Sequence, residues 1–337
     1  MIKKNLFMKR IIIPFLSFIA LPSAIQANID PKVAEMCMKA TDFEGCVKSM
    51  SGQTNKNSSP VSSKYDEALI FFEAGDTSSA MKKINSFIKE NNSSKEAYLA
   101  RGIIYSYDLL ENEKAMEDFN KAIEIDDQYA IAYALRADHL YWELGNASQA
   151  KNDIEKAYKL SPQDTYVNLV RGSLLLDYAY TLFDKNKMDL AISNARDSIT
   201  NFEQVLLDKK PEKNLIVKRI FPLGITYEAH TSLGDANFDI LYFAYKKNGN
   251  RTGAKQFLKD SINHYTNAIA TAPSQEESEK YEIERDFDMI TLAELHLYRG
   301  NAYSWITKDW KKACKDWKVS RKLGNKEAGV NARQWRC

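Results

Sequence analysis

The chain has 337 residues, with 47 Lys and Arg against 45 Asp and Glu, for a formal net charge of +2. Four of those cations, Lys3, Lys4, Lys9 and Arg10, stand in the first 27 residues, so residues 28–337 carry −2 and the basic isoelectric point belongs to the leader. A near-balanced chain does not work through a global charge field, and 310 residues suffice for two domains or for one stacked array.

The leader reads MIKKNLFMKR followed by IIIPFLSFIAL, a charged start and an apolar run too short to span a bilayer. That layout marks an export signal over residues 1–27. Cleavage is expected after Ala27, with Ala24 as the alternative end and an uncleaved anchor as the other outcome. No Cys follows the run, which argues against lipid attachment. The protein is therefore expected in a periplasm, a lumen or the medium, where nucleic acid is not an expected partner. Cys37, Cys46, Cys314 and Cys337 all lie in the exported part, and an oxidising compartment lets them pair.

Residues 28–50 hold PKVAEMCMKATDFEGCVKSM, which reads as a helical hairpin turning near Thr41-Asp42, with Cys37 and Cys46 about one turn to either side. Residues 51–63, SGQTNKNSSPVSS, read as a flexible linker. From 64 to 325 apolar and small residues recur three and four apart with no strand alternation, so this stretch is expected to be all-helical.

Within it an Arg followed by a small residue returns: Arg101-Gly102, Arg136-Ala137 and Arg171-Gly172 are 35 residues apart, and Arg299-Gly300 stands near the end. Thirteen residues after the small residue begins a second signature, Ala115-Phe119-Ala122, Ala150-Ile154-Ala157 and Ala313-Trp317-Ser320. Closely crossed helices need a minimal side chain where they touch. Gly102, Ala137, Gly172 and Gly300, with Ala115, Ala150 and Ala313, are therefore the expected packing positions. The Arg is expected at the edge of that contact, its stem over apolar surface and its guanidinium toward water or a carboxylate of a neighbouring repeat. The distance is 19 from Gly172 to Ala191 and 20 from Gly234 to Ala254. First helices in 173–290 are accordingly expected to be longer by about two turns, and second helices to be extended as well, running to Pro211 and Pro273, with Pro222 bending or interrupting one helix.

This pattern resembles the tetratricopeptide repeat family, whose unit is two antiparallel helices with a small residue at their crossing. Tyr98 and Tyr133 stand at the family's large apolar or aromatic position, and the likeness covers 95–164 well, 61–94 and 293–325 fairly, and the middle loosely. The resemblance implies an all-α solenoid of about five to six antiparallel helix pairs, the central ones extended. It also implies that first helices line a concave face that receives a peptide or helix of a partner protein. Ile103, Ser106, Asp138, Tyr141, Trp142, Tyr166, Leu169, Ser173 and Leu176 map to that face. The Lys, Arg and Asn that one subgroup uses to clamp a C-terminal carboxylate are absent, so apolar binding anchored by Tyr141, Trp142 and Tyr166 is expected. The competing arrangement has the long helices or the N-terminal hairpin cover these aromatics.

No catalytic, cofactor or metal motif stands out. His139, His230, His264 and His296 are far apart in sequence, and G-x-S-x-G and H-E-x-x-H are absent. GNRTGAK at 249–255 has its glycines four apart and reads as a turn between helices. The acidic run at 276–288 reads as the solvated start of a long helix and not as a calcium loop. Residues 308–337 hold ten Lys or Arg, three acids, and Trp310, Trp317 and Trp335. Either this basic end meets an anionic membrane surface, or Trp317 fills the repeat core while the lysines solvate the last helix. Residues 326–337 are expected to cap the array, fastened by a Cys314–Cys337 bridge, with Cys37–Cys46 as the other bridge among the three pairings four cysteines allow. The function expected is an exported interaction scaffold or assembly factor. A membrane-surface envelope-assembly or chaperone-like factor is the alternative, and an enzyme comes third.

Overall fold

The computed structural model describes residues 60–209, 215–221, 224–285, 290–306 and 309–337. The export signal, the Cys37–Cys46 hairpin, most of the linker, and Pro211 and Pro222 lie outside the described residues. Among the described residues all regular structure is helical, and six helix pairs follow one another. The first is α1 (Pro60–Ala74) with α2 (Thr77–Glu90), so the helical part begins four residues before the expected domain start at 64. The second is α3 (Lys95–Ile103), continued by a π-helical turn Ile104–Asp108, with α4 (Asn112–Ile125). These two pairs make one compact unit, ending at Gln128.

A second unit begins at Tyr129. It contains α5 (Ala130–Trp142) with α6 (Ala147–Leu160), then α7 (Thr165–Asp184) with α8 (Met188–Leu207), then the short α9 (Leu215–Ile220). Next comes a long interrupted first helix, α10 (Thr226–Asp235), a π-helical segment (Ala236–Tyr242) and α11 (Phe243–Lys247), paired with α12 (Arg251–Thr271). The helix α13 (Gln275–Arg285) leads to α14 (Leu292–Ser304), α15 (Trp310–Lys322) and the terminal α16 (Lys326–Gln334). The acidic run thus forms a separate short helix and not the start of a long one, because α14 has its own start at Thr291, whose hydroxyl caps Glu294 N while the Glu294 carboxylate caps Thr291 N. GNRTGAK is a turn as expected: Gly249 takes φ 78°, and the Asn250 side chain caps α12 by accepting from Gly253 N.

The repeated small residues are all buried, and each glycine among them lies under the ring of its own second helix. A Cβ on Gly102 would sit 2.7 Å from the Phe119 ring, on Gly172 3.1 Å from Phe202, on Gly234 2.5 Å from Tyr265 and on Gly300 2.8 Å from Trp317. These contacts correct the register inferred for the central repeats. Counting back four residues from the ring, as Ala115 stands from Phe119, gives the fully buried Ser198 and Ser261, where the sequence suggested Ala191 and Ala254. The true small-to-small distances are 26 and 27, so about 13 residues are added, divided between the end of the first helix and the start of the second. Two antiparallel helices joined by a short turn can lengthen only together, since a longer strut needs a partner over its whole apolar face.

Beside each small residue the Arg finds its partner in the same repeat, 17 residues on. Arg101 donates twice to Asp118 at 2.7 Å, Arg136 twice to Asp153 at 2.7 and 2.8 Å, and Arg299 twice to Asp316 at 2.8 and 2.7 Å. Arg171 does reach the expected carboxylate of a neighbouring repeat, Glu155 at 3.0 Å, as Asn201 occupies its aspartate position. The planar guanidinium fork matches a carboxylate edge, so the pair fixes the rotation of one helix about the other. At Asp316 burial pulls the carboxyl upward, but hydrogen bonds from Arg299 and His296 outweigh it and leave the group below its usual value.

Replacing Gly234 by Ala should destabilise the fold by about 1–3 kcal/mol, because Tyr265 is tied through its hydroxyl to Asp235 and cannot retreat from the new methyl. Gly172→Ala should be close to neutral, since the looser contact with Phe202 costs little against the helix gain of about 1 kcal/mol. Urea midpoints of the two variants should therefore fall in that order.

Candidate interaction surface

The unit from Tyr129 onward carries most of the residues expected to receive a partner. Its first helices are joined by tyrosine–carboxylate hydrogen bonds. Tyr166 on α7 donates to Asp138 on α5 at 3.4 Å, and Tyr141 on α5 donates back to Asp177 on α7 at 2.5 Å. Tyr180 on α7 then donates to Asp239 in the π-helical segment at 3.0 Å, and Tyr265 on α12 donates to Asp235 at 2.6 Å. Each bond lets a phenol and a carboxylate leave bulk water together, which neither could do alone.

This ladder decides where the expected face residues lie. Tyr166, Leu169, Ser173 and Leu176 are buried, and the Ser173 hydroxyl donates to Leu169 O. In the unit ending at Gln128, Ile103 and Ser106 are buried as well. With Asp138 on α5, buried as well, seven of the nine positions belong to the interior. The first helices of successive repeats pack against each other, and their inward residues serve that contact. Asp138 is 9% exposed. Tyr141 and Trp142 keep part of their surface, with their rings edge to face at 4.7 Å, and next to Asp177 on α7 stands Tyr178, 48% exposed. The accessible part of this face is thus two aromatics, one acid and a further tyrosine.

Asp177, Tyr178, Tyr180, Asp235 and Asp239 were not among the expected site residues, yet the sequence held a signal for the acids. They recur one residue (Asp138, Asp235) or five residues (Asp177, Asp239) after the small packing residue. Burial and the Asp177 carboxylate push the Tyr141 hydroxyl well up. Burial pushes Asp239 up to about 6, and burial with the facing Asp239 also carries Asp235 well above the usual carboxylate range. Burial and then these same acids raise Tyr265, while Tyr298 on α14 is raised by burial, Glu294 and both aspartates.

The C-terminal end shows the second expected feature. Trp317 is 1% exposed and fills the last repeat, donating Nε1 to Asn301 at 3.0 Å. Trp310 and Trp335 stack outside it, with centroids 4.3 Å apart and exposures of 37% and 47%. Lys311, Lys312, Lys315 and Lys318 are exposed on α15, and α16 packs as a cap with Cys337 paired to Cys314. No described helix is long and apolar enough to cross a membrane.

A carboxyl held up by burial stabilises the fold when protonated, fully below its unfolded value of about 4, and that contribution disappears as pH rises through the folded value. For Asp239 the window is therefore pH 4 to about 6. Thermal midpoints should fall across this window, and Asp239→Asn, which keeps an acceptor for Tyr180, should flatten the fall and raise the midpoint at pH 7.5 by several degrees.

The tetratricopeptide repeat profile matches residues 95–129 and 130–164. Human tetratricopeptide repeat protein 6 is 30% identical over 105 residues, which is 31% of this chain and 20% of that protein, so the chain spans about a fifth of that relative's length. The crystal structure of PilW, a type IV pilus biogenesis factor, aligns with TM-score 0.47 at 16% identity, covering 81% of this chain and 99% of PilW. That of YrrB, described as a TPR protein with an unusual peptide-binding site, aligns with TM-score 0.41 at 14% identity, covering 74% and 97%. Two successive units of the chain, residues 95–129 and 130–164, each a helix pair closed by a small residue and an Arg–Asp pair, thus match the tetratricopeptide repeat.

Proposed function

We propose that this protein is an exported scaffold that binds a peptide or helix of a partner protein on the first-helix face of the unit from Tyr129 onward. The fold class supports a protein-interaction scaffold. What favours this face is the group Tyr141, Trp142, Asp177 and Tyr178: aromatic surface left exposed beside a carboxylate, on helices held rigid by the tyrosine–aspartate ladder. Rigid aromatics give contact area at small entropic cost, and the acid sets a preference for a partner segment that carries a cation among apolar residues. Tyr166 serves as support for this group and not as an anchor, since it is buried. We assign no residue a catalytic role. A site of action outside the cytoplasm is part of this proposal, and the leader layout with the Cys314–Cys337 pair supports it.

Affinity capture from the cell envelope tests it. Trp142→Ala with Tyr178→Ala should keep the wild-type unfolding midpoint to within a few degrees and reduce recovery of the partner at least tenfold. Undiminished capture by a folded double variant moves the binding surface elsewhere.

The stacked Trp310–Trp335 pair beside exposed lysines favours a second role, contact with an anionic membrane surface during envelope assembly. Cosedimentation with vesicles containing phosphatidylserine should exceed that with phosphatidylcholine alone, weaken in high salt, and drop when both tryptophans become Ala. Equal cosedimentation with both lipids removes this role.

A further inference from the structure

In the repeat built on Gly234 both members of the Arg–Asp pair are replaced. Before Gly234 stands Leu233 where the others have Arg, and before Tyr265 stands His264 where the others have Asp118, Asp153, Asn201 or Asp316. His230, one turn earlier on α10, fills the gap: its Nδ1 lies 3.2 Å from Nδ1 of His264 on α12, with ring centroids 5.4 Å apart and planes inclined by 38°. The two nitrogens therefore converge from different helices, whose approach is fixed independently by Gly234 under Tyr265. In the Nε2–H tautomer each ring has a free lone pair on Nδ1, so both nitrogens can serve one ion. Burial, and for His230 also the facing imidazole, lowers both pKa values, that of His230 to about 4.

Two imidazole nitrogens bound to one tetrahedral zinc ion at about 2.0–2.1 Å are separated by about 3.3 Å. The observed spacing is that of a chelate. We propose that His230 and His264 form a bidentate site for a divalent transition-metal ion, which cross-links α10 and α12 at the position where other repeats use Arg and Asp. Both residues are half-buried, so the ion is reached from solvent. No third His, Cys, Asp or Glu among the described residues completes the set. The remaining coordination positions go to water, or to a donor group of whatever docks there. Imidazole without carboxylate selects zinc, nickel and copper over magnesium and calcium. With two protein ligands the affinity should be micromolar and not that of a closed structural zinc site.

The test uses the full exported chain without a histidine tag, at pH 7.5. Calorimetric titration with zinc chloride should show one ion per chain at micromolar affinity and a rise of several degrees in the thermal midpoint, with no response to magnesium. His230→Gln and His264→Gln should each lower the affinity at least tenfold, while His296→Gln, which disturbs the histidine bonded to Asp316, should leave it unchanged. Nitrogen-15 spectra of the wild-type imidazoles should show zinc moving the Nδ1 resonances of both residues, a readout that does not depend on either variant folding. Absence of stoichiometric uptake, uptake unchanged in folded His230 and His264 variants, or shifts confined to other histidines overturns the proposal.

Discussion

The interaction on which the structure rests is a ring pressed against a helix backbone where a side chain is missing. Phe119, Phe202, Tyr265 and Trp317 each lie on a glycine of the preceding helix. Such an approach brings two helices to the short end of their packing range and excludes water from the backbone between them. The Arg–Asp pair next to the contact does a different job. The ring sets how close the helices come, and the fork of hydrogen bonds sets how one is turned about the other. Because both constraints lie side by side at one crossing, a helix pair cannot slide by a turn without breaking both.

That coupling explains the enlarged centre. The pairs α7–α8 and α10–α12 keep the ring-on-glycine contact, replace the Arg–Asp pair with other polar partners, and add about two turns to each helix beyond it. The added surface is not left open. Tyr141, Tyr166, Tyr180 and Tyr265 carry hydrogen bonds between helices to Asp177, Asp138, Asp239 and Asp235, so polar groups replace part of what would otherwise be an aliphatic core. Interiors built in this way are rigid when satisfied and sensitive to charge, since each carboxylate depends on one or two donors in a medium of low dielectric. The half-buried Tyr141 and Trp142 and the exposed Tyr178 sit at the edge of that interior.

The sequence made the repeat, its period and its packing residues legible, because an Arg before a small residue recurring at 35 is a local signal repeated many times. Trp317 in the core and the terminal cap were legible for the same reason. The Asp partner of each Arg was not, since the pairing crosses a turn and the acid is one of many on a solvated-looking helix. The register of the central repeats was misjudged because Ala191 and Ala254 satisfy the small-residue pattern as well as Ser198 and Ser261 do. Periodicity alone cannot tell which turn of a lengthened helix meets its partner. The candidate face was half legible. Helical spacing placed Tyr141, Trp142, Tyr166 and Leu176 on one side of their helices, but whether that side meets solvent or the next repeat is a tertiary fact. The His230–His264 contact was invisible, as the two residues are 34 apart and belong to no spacing rule.

The indole pair at the C-terminal end has a practical consequence. Two stacked chromophores, held in a fixed chiral relation by helices on either side of the Cys314–Cys337 pair, couple their electronic transitions, and that coupling disappears when one ring swings away. Near-ultraviolet circular dichroism therefore gives this chain an unlabelled optical gauge of whether its last helix is seated.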